Sequence, residues 1–154
     1  MGLGDSGVFV MLGSGEPECE QPLVRIASEF DNFIFLQGYS ETIGDALYHL
    51  GDLFFMPSAF EPCGISQMLA MRAGQPCLVH HIGGLRDTVV DGKTGFAFAG
   101  DTLMSKADHL VSTFRHAAQL YQTKPRAWQA LRKRAESQRF EWTDTVDAYL
   151  RSLY

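Results

Sequence analysis

Short apolar runs alternate with stretches of helical periodicity over the first hundred residues of the chain. The apolar runs predict strands at residues 8–12, 33–37, 53–56, 77–81 and 96–98. The periodic stretches predict helices at residues 22–30, 43–50, 66–72 and 85–90. Runs that are apolar on both faces and alternate with helices are typical of a parallel sheet that is covered on both sides. Short connections between them favour right-handed β–α–β units.

The strand signal disappears after Gly100, and the remaining sequence predicts three helices at residues 102–121, 124–138 and 143–154. Pro125 lies near the start of the second helix, where a missing N–H group costs least. The sequence shows no internal repeat or linker. The pattern therefore predicts one domain, residues 1–154, of the α/β class with C-terminal helices.

Composition narrows the class of protein. Hydrophobic residues make up 45% of the 154 residues and charged residues 20%, which is typical of a soluble globular protein. No apolar run approaches the roughly 20 residues that span a bilayer, so we expect no membrane partner. The N-terminus lacks the features of a signal peptide, and we expect a cytoplasmic protein. The net charge of -5 argues against nucleic acid as a partner.

The cysteines and histidines do not suggest a metal site. Cys19, Cys63 and Cys77 are widely spaced and form no Cys-x-x-Cys pair, so neither a zinc site nor a disulfide framework is predicted. His80 and His81 are adjacent on a predicted strand and point to opposite faces, so they cannot hold one metal ion from there. We interpret them as ordinary strand-end residues, with a role in a ligand pocket as the alternative.

Three loops follow predicted strands and are candidates for ligand binding. They comprise residues 38–40, 58–66 and 82–85. Ligands of open parallel sheets bind at the C-terminal ends of the strands, near helix N-termini. We therefore expect these three loops to lie along one edge of the sheet.

The middle loop carries the most informative residues. Glu61 places a carboxylate in a strand-to-helix connection, and Pro62 stiffens the backbone beside it. Gly64 allows close approach of a ligand, and residues 64–66 open the next helix with free N–H groups that suit a phosphate. One carboxylate for sugar hydroxyls and an amide cluster for phosphate would suit a sugar nucleotide. The alternative is that Glu61 caps the helix and Gly64 only makes the turn.

A longer string of residues carries a resemblance. Residues 58–67 read Ser-Ala-Phe-Glu-Pro-Cys-Gly-Ile-Ser-Gln, and residues 70–74, 83–89 and 94–96 follow in matching order and spacing. This string resembles the C-terminal domain of bacterial glycogen synthases and plant starch synthases. The resemblance implies the C-terminal, Rossmann-like half of a GT-B fold. It also implies retaining transfer of glucose from ADP-glucose to an α-1,4-glucan acceptor.

The resemblance also implies roles for individual residues. Glu61 would be the catalytic-site residue that hydrogen-bonds hydroxyls of the donor glucose. Donor-binding roles carry over to Gly38, Tyr39, Cys63, Gly64, Ile65, Ser66, Gly83 and Gly84. Of these, Gly38 and Tyr39 would contact the nucleoside, the stretch from Cys63 to Ser66 would hold the sugar and distal phosphate, and the Gly-Gly pair would allow close backbone approach. No metal and no cofactor beyond the nucleotide-sugar donor is implied.

Two residues differ from what related glycosyltransferases have at the same positions. Leu69 stands where other retaining GT-B transferases have a ribose-binding glutamate, and glycogen synthases also lack that glutamate. Ile82 stands where the synthases usually have threonine. Two alternatives stay open: another retaining GT-B transferase with a UDP-sugar donor, or a non-catalytic module that binds a glucan or a partner.

The family's N-terminal domain, first strand and basic diphosphate-binding loop have no counterpart in this sequence. Arg25 is the only base before Arg72. We therefore expect the isolated chain to show no glucosyl transfer and to bind ADP in the millimolar range or not at all.

Three further expectations concern the Cys63 thiol, the aromatic residues and the last helix. We expect Cys63 to be an incidental, alkylatable thiol rather than a nucleophile. The aromatic residues Trp128, Trp142, Tyr149 and Tyr154 are expected to pack in the core rather than to stack on sugars. An apolar face on helix 143–154 would favour contacts between copies, and hence a homo-oligomer.

Overall fold

The computed structural model describes residues 7–153, apart from the side chains of residues 144 and 145. Its strands are β1 (Phe9–Gly13), β2 (Phe33–Gln37), β3 (Phe54–Met56), β4 (Cys77–His80) and β5 (Gly95–Phe98). Its helices are α1 (Pro17–Glu29), α2 (Glu41–Leu50), α3 (Ser66–Arg72), α4 (Gly83–Thr88), α5 (Leu103–Thr123), α6 (Pro125–Glu136) and α7 (Trp142–Leu153). The predicted α/β class, with alternating strands and helices followed by C-terminal helices, is confirmed.

The chain divides into two compact units, Met1–Leu47 and Tyr48–Tyr154, with the boundary inside α2. In the first unit, β1 and β2 are parallel, with Phe9 opposite Phe33 and Gly13 opposite Gln37. In the second unit, three parallel strands pair in the order β3-β4-β5. The structure thus pairs the five strands as two groups, and a single domain over residues 1–154 stays a prediction.

β4 is the centre of the second unit because all four of its residues are buried. Cys77 and Val79 pack in one apolar cluster with residues of α3, α4 and α6. Leu78 points to the opposite face and packs in a second cluster with residues of β5, α5 and α6. Helices therefore cover both faces of this sheet, as the run of apolar residues predicts.

Three predicted helices begin at least two residues before the expected start, and α2 is one of them because it begins at Glu41 and not at Ile43. α1 begins at Pro17, five residues before the predicted start, and Pro22 lies inside it. Pro17 suits the first helical turn, and the acidic residues Glu18 and Glu20 complement the positive end of the helix dipole. α4 begins at Gly83 and not at Leu85, because the Gly-Gly pair itself forms its first turn.

Each C-terminal helix begins within one residue of its predicted start. The side chain of Thr102 accepts a hydrogen bond from the backbone N–H of Ser105, and the backbone N–H of Thr102 donates to the Ser105 hydroxyl oxygen, which makes a capping box at the start of α5. Pro125 is the first residue of α6. Within the part of the chain that the structure describes, none of the helices has the length and apolarity to cross a bilayer.

Candidate functional site

Two of the three predicted loops lie side by side in the second unit. The loop before α3 follows β3, and the loop before α4 follows β4, which is paired with β3. The N–H of Gly84 donates to the carbonyl oxygen of Glu61 at 3.1 Å, so the two loops are hydrogen-bonded to each other. The predicted edge at the C-terminal ends of the strands is confirmed for this pair of loops.

The Gly-Gly pair is needed for the contact between these loops. A Cβ atom on Gly83 would lie 1.9 Å from the carbonyl oxygen of Glu61, and one on Gly84 would lie 1.9 Å from that of Cys63. Both distances are far inside van der Waals contact. The glycines therefore let one loop pack on the backbone of the other, whereas the sequence had suggested only close approach to a donor.

Gln67 holds the loop from inside. Its side chain is fully buried, and its amide nitrogen donates to the carbonyl oxygens of Cys63 at 3.2 Å and Gly64 at 2.9 Å. In a planar trans peptide the N–H group points opposite to the carbonyl that precedes it. Since both carbonyls point inward to Gln67, the N–H groups of Gly64 and Ile65 point away from it.

Thr88 joins Gln67 to the second loop. The Gln67 amide nitrogen lies 3.2 Å from the Thr88 hydroxyl oxygen, and that hydroxyl donates to the carbonyl oxygen of Gly84 at 2.6 Å. Neither side chain has a role among the sequence-based predictions. Their place in the resembling string, three residues after Gly64 and four after Gly84, was the available signal.

Glu61 is half-buried, and its carboxylate oxygen Oε2 accepts a hydrogen bond from the Ser58 hydroxyl at 3.3 Å. Neither loop contains a lysine or arginine. Arg86 is the first base after the second loop. Its side chain is exposed, and its Nε atom lies 3.4 Å from Oδ1 of Asp87. The local charge at the two loops is therefore that of Glu61, and an anionic group brought there would face backbone N–H groups.

The loop presents apolar side chains to solvent. Phe60 is 80% exposed, Ile65 is 66% exposed and Leu69, on α3, is 43% exposed. Ile82 instead packs against the core cluster that contains Leu85, so its apolar side chain contributes to folding. The two loops thus form an open surface, as expected of one side of a cleft.

Two shallow depressions occur elsewhere on the second unit. One, of about 370 Å³, lies on α6 and is lined by Pro125, Arg126, Gln129, Ala130 and Lys133. The other, of about 280 Å³, is lined by Asp91, Gly92, Phe96, Ala97, Ser112, Thr113 and His116. Neither is lined by residues of the two loops. The candidate site is assigned by its chemistry, because an open surface need not form an enclosed cavity.

Gly38 and Tyr39 lie in the first unit, directly after β2. Gly38 has a φ of 127°, and its N–H donates to the carbonyl oxygen of Gly13 at 2.9 Å. Tyr39 is 84% exposed, and its hydroxyl donates to the Glu41 carboxylate at 3.3 Å. Their contact with a nucleoside, and their place beside the other two loops, stay predictions.

The cysteines and histidines differ in accessibility. Cys19 and Cys63 are exposed, and Cys77 is buried. Burial raises the pKa of the Cys77 thiol well above its ordinary value, so it stays protonated and unreactive. His80 is buried and His81 exposed, as expected for adjacent strand positions. No cluster of three or more metal-ligating side chains is found among the residues described.

The prediction that the C-terminal aromatic residues pack in the core is only partly right. Trp128 is 3% exposed and packs with Leu131 and Phe96. Trp142 and Tyr149, on α7, are 83% and 64% exposed, so the prediction is wrong for them. Helical periodicity identifies the apolar side of α7 but not whether anything covers it. Tyr154 lies outside the described residues.

Comparison with known proteins shows the family of this chain. The family model described as "Glycosyl transferases group 1" matches residues 4–128, and the chain belongs to this family. A glycogen synthase of Streptococcus sanguinis is 37% identical over 148 residues, covering 92% of this chain and 30% of that protein. A glycogen synthase of Pseudomonas syringae is 36% identical, covering 94% of this chain and 29% of that protein. The chain thus spans about 30% of the length of these relatives.

Solved structures show the same fold. The catalytic domain of starch synthase IV from Arabidopsis thaliana, bound to ADP and acarbose, superposes with a TM-score of 0.82 at 30% identity. The match covers 94% of this chain and 31% of that one. HepE from Anabaena in complex with UDP-glucose superposes with a TM-score of 0.66 at 22% identity, which supports the fold alone. The resemblance to glycogen and starch synthases, and the GT-B type of fold, are confirmed.

Proposed function

We propose that this chain supplies the nucleotide-sugar half-site of a hexosyltransferase of the glycogen and starch synthase type. The whole enzyme would transfer glucose from ADP-glucose, with retention, to an α-1,4-glucan. The observation that carries the proposal is the inward binding of the Cys63 and Gly64 carbonyls by buried Gln67. Because of this binding, the N–H groups of Gly64 and Ile65 point outward on the loop that carries Glu61.

Each part of this loop has a distinct chemical role. The outward N–H groups of Gly64 and Ile65, with the N–H and hydroxyl of Ser66, would bind oxygens of the distal phosphate. The carboxylate of Glu61 would accept hydrogen bonds from hydroxyls of the donor glucose, and such charge-assisted bonds are stronger than neutral ones. The backbone contact of Gly83 and Gly84 would keep the loop fixed while the sugar is bound, so little ordering cost would be paid on binding.

ADP-glucose is the donor that the likeness to glycogen and starch synthases supports best, and Leu69 fits that branch. Leu69 is partly exposed on α3, at the position where a ribose-binding glutamate would stand in other retaining transferases of this fold. Its apolar side chain offers no hydrogen bond to a ribose hydroxyl. The solved starch synthase that resembles this chain at 30% identity has ADP bound.

The rest of the active site would come from a facing N-terminal domain. Neither loop contains a base, so two diphosphate charges would be offset here by backbone N–H groups alone. The family's basic diphosphate-binding loop would supply the missing cations, and the facing domain would close the exposed surface around Phe60 and Ile65. We also propose a reducing, cytoplasmic setting, supported by Cys19 and Cys63, which are exposed and unpaired.

Saturation-transfer NMR of the 154-residue chain with ADP-glucose tests the proposal. We expect transfer to the glucose protons in the native chain and its loss in Glu61→Gln, which removes the charge with little change of shape. Glu136→Gln, an exposed change on α6, is the matched control and should behave as the native chain. Equal transfer in Glu61→Gln and the native chain would refute the role of Glu61.

A further inference from the structure

His80 is joined to the loop that carries Glu61. It is the last residue of β4 and is 6% exposed. Its ring nitrogen Nδ1 lies 2.8 Å from the carbonyl oxygen of Ser58, and its ring stacks on Phe98 with centroids 5.2 Å apart and an interplanar angle of 20°. A carbonyl oxygen only accepts hydrogen bonds, so Nδ1 carries the proton in this contact.

Ser58 is bound at two points. Its backbone carbonyl accepts from His80, and its hydroxyl donates to Oε2 of Glu61 at 3.3 Å. We propose that His80 is a positioning residue that fixes the side-chain conformation of Glu61 through Ser58. This inference rests on the proposed function, in which the Glu61 carboxylate meets the donor glucose.

The contacts divide the loop between two anchors. Its second half is held by Gln67, which binds the carbonyls of Cys63 and Gly64. Its first half is held by His80 through Ser58. Between them the Glu61 carbonyl oxygen accepts from the N–H of Gly84, and the Glu61 side chain turns back to Ser58. Loss of the His80 contact would therefore free the partner of the carboxylate while the second half of the loop stays in place.

Packing alone does not require an imidazole at this position. A phenylalanine would fill the same space and stack on Phe98, without a buried polar group that needs a partner. What the imidazole adds is the donor at Nδ1. Two substitutions therefore separate packing from positioning: His80→Phe keeps the ring and removes the donor, and His80→Asn keeps a donor close to the Nδ1 position and removes the stack.

The first measurement needs no donor. Three-bond couplings to Cγ report whether the χ1 angle of Glu61 occupies one rotamer or averages over several. We expect one rotamer in the native chain and in His80→Asn, and averaging in His80→Phe. Thermal unfolding should rank the variants in the opposite order, with His80→Asn less stable than His80→Phe.

The second measurement is donor binding by NMR titration with ADP-glucose. We expect affinity to fall by about tenfold in His80→Phe, the order of one lost hydrogen bond, and by no more than about twofold in His80→Asn. If affinity and the Glu61 rotamer both follow stability and not the retained donor, His80 is merely structural and the proposal fails.

Ser58→Ala gives an independent test if either His80 variant fails to fold. Ser58 is half-buried, and this change removes only the hydroxyl that reaches Glu61. We expect Glu61 to average as in His80→Phe, whereas Ser112→Ala, on α5, should leave it unchanged. A single Glu61 rotamer in Ser58→Ala would overturn the proposal.

The donor site and the positioning role of His80 can be refuted separately. If the native chain shows no contact with ADP-glucose, the proposed function fails, and the Glu61 couplings still decide the role of His80. If the native chain binds and His80→Phe binds equally well with an unchanged Glu61 rotamer, the positioning role fails and the donor site stands.

Discussion

The carbonyl oxygen of Cys63 occupies the space beside Gly84 that any side chain would need, 1.9 Å from the ideal Cβ position. Gly84 also donates its N–H to the carbonyl oxygen of Glu61. The contact joins the two loops of the candidate site backbone to backbone. A methyl group here must push the loops apart, because it meets the Cys63 backbone and not a flexible side chain.

Gly84→Ala should therefore damage both folding and the site. We expect the free energy of unfolding to fall by about 3 kcal/mol, at the upper end of overpacking costs, with the amide resonances of residues 61–66 displaced. Denaturant unfolding and amide NMR spectra measure the two effects.

Gly44→Ala, in α2, is the control for Gly84→Ala because a Cβ atom there meets nothing within 4 Å. It should stabilise the chain by roughly 0.5–1 kcal/mol, as alanine does in place of glycine inside a helix. If Gly84→Ala were as well tolerated as Gly44→Ala, the close contact between the loops would be wrong.

The three thiols should fall into two classes. Cys19 and Cys63 are exposed and Cys77 is fully buried, so a thiol reagent should modify two cysteines in the native chain and the third only after denaturation. Peptide mapping identifies the labelled residues. Modification of Cys77 at the same rate as Cys63 would contradict the packing of β4.

Cys77 should also make stability depend on alkaline pH. Burial raises the pKa of its thiol above the ordinary value of 9.0, so above pH 9 the unfolded chain releases this proton and the folded chain keeps it. The unfolded state then binds fewer protons, and stability must fall as pH rises, by roughly tenfold in the folding equilibrium constant per pH unit.

Denaturant unfolding of the native chain and Cys77→Ala at neutral and alkaline pH isolates this contribution. The stability advantage of the native chain over the variant should shrink above the ordinary thiol pKa. A difference that stays constant across this range would show that Cys77 is not held in its protonated form.

The isolated chain should have no glucosyl transfer activity. Its two loops supply a carboxylate and backbone N–H groups but no base for the diphosphate, and the chain spans about 30% of its relatives' length. Incubation with radiolabelled ADP-glucose and glycogen measures incorporation directly. Incorporation above that of Glu61→Gln would mean that this chain holds a complete active site.

Much of the fold could be predicted from the sequence because the apolar runs, the helical periodicity and the glycines that end elements agree with the packing. β2 and α3 have the predicted bounds. Gly38 directly follows the end of β2, and Gly74 lies two residues after the end of α3. The start of α1 could not be predicted, since Pro17 and Pro22 both suit a first turn and only the structure places the second inside the helix.

The site was predictable where its chemistry lies within one loop and not where it depends on contacts distant in sequence. Glu61 and Gly64 were identified from a short string. The link from His80 to Ser58 joins residues 22 positions apart through a backbone carbonyl, which no side-chain pattern reveals. The Gly-Gly pair was identified correctly as a place of close approach, but its neighbour is the other loop.

The most direct test of the central claim is an amide NMR titration of the 154-residue chain with ADP-glucose at millimolar concentrations. We expect progressive shifts at the amides of Gly64, Ile65 and Ser66 and of the neighbouring Gly84. We also expect smaller shifts there with ADP alone, because the contact of glucose with Glu61 is then missing. Unchanged resonances at these four amides, or shifts confined to other parts of the chain, would contradict the central claim.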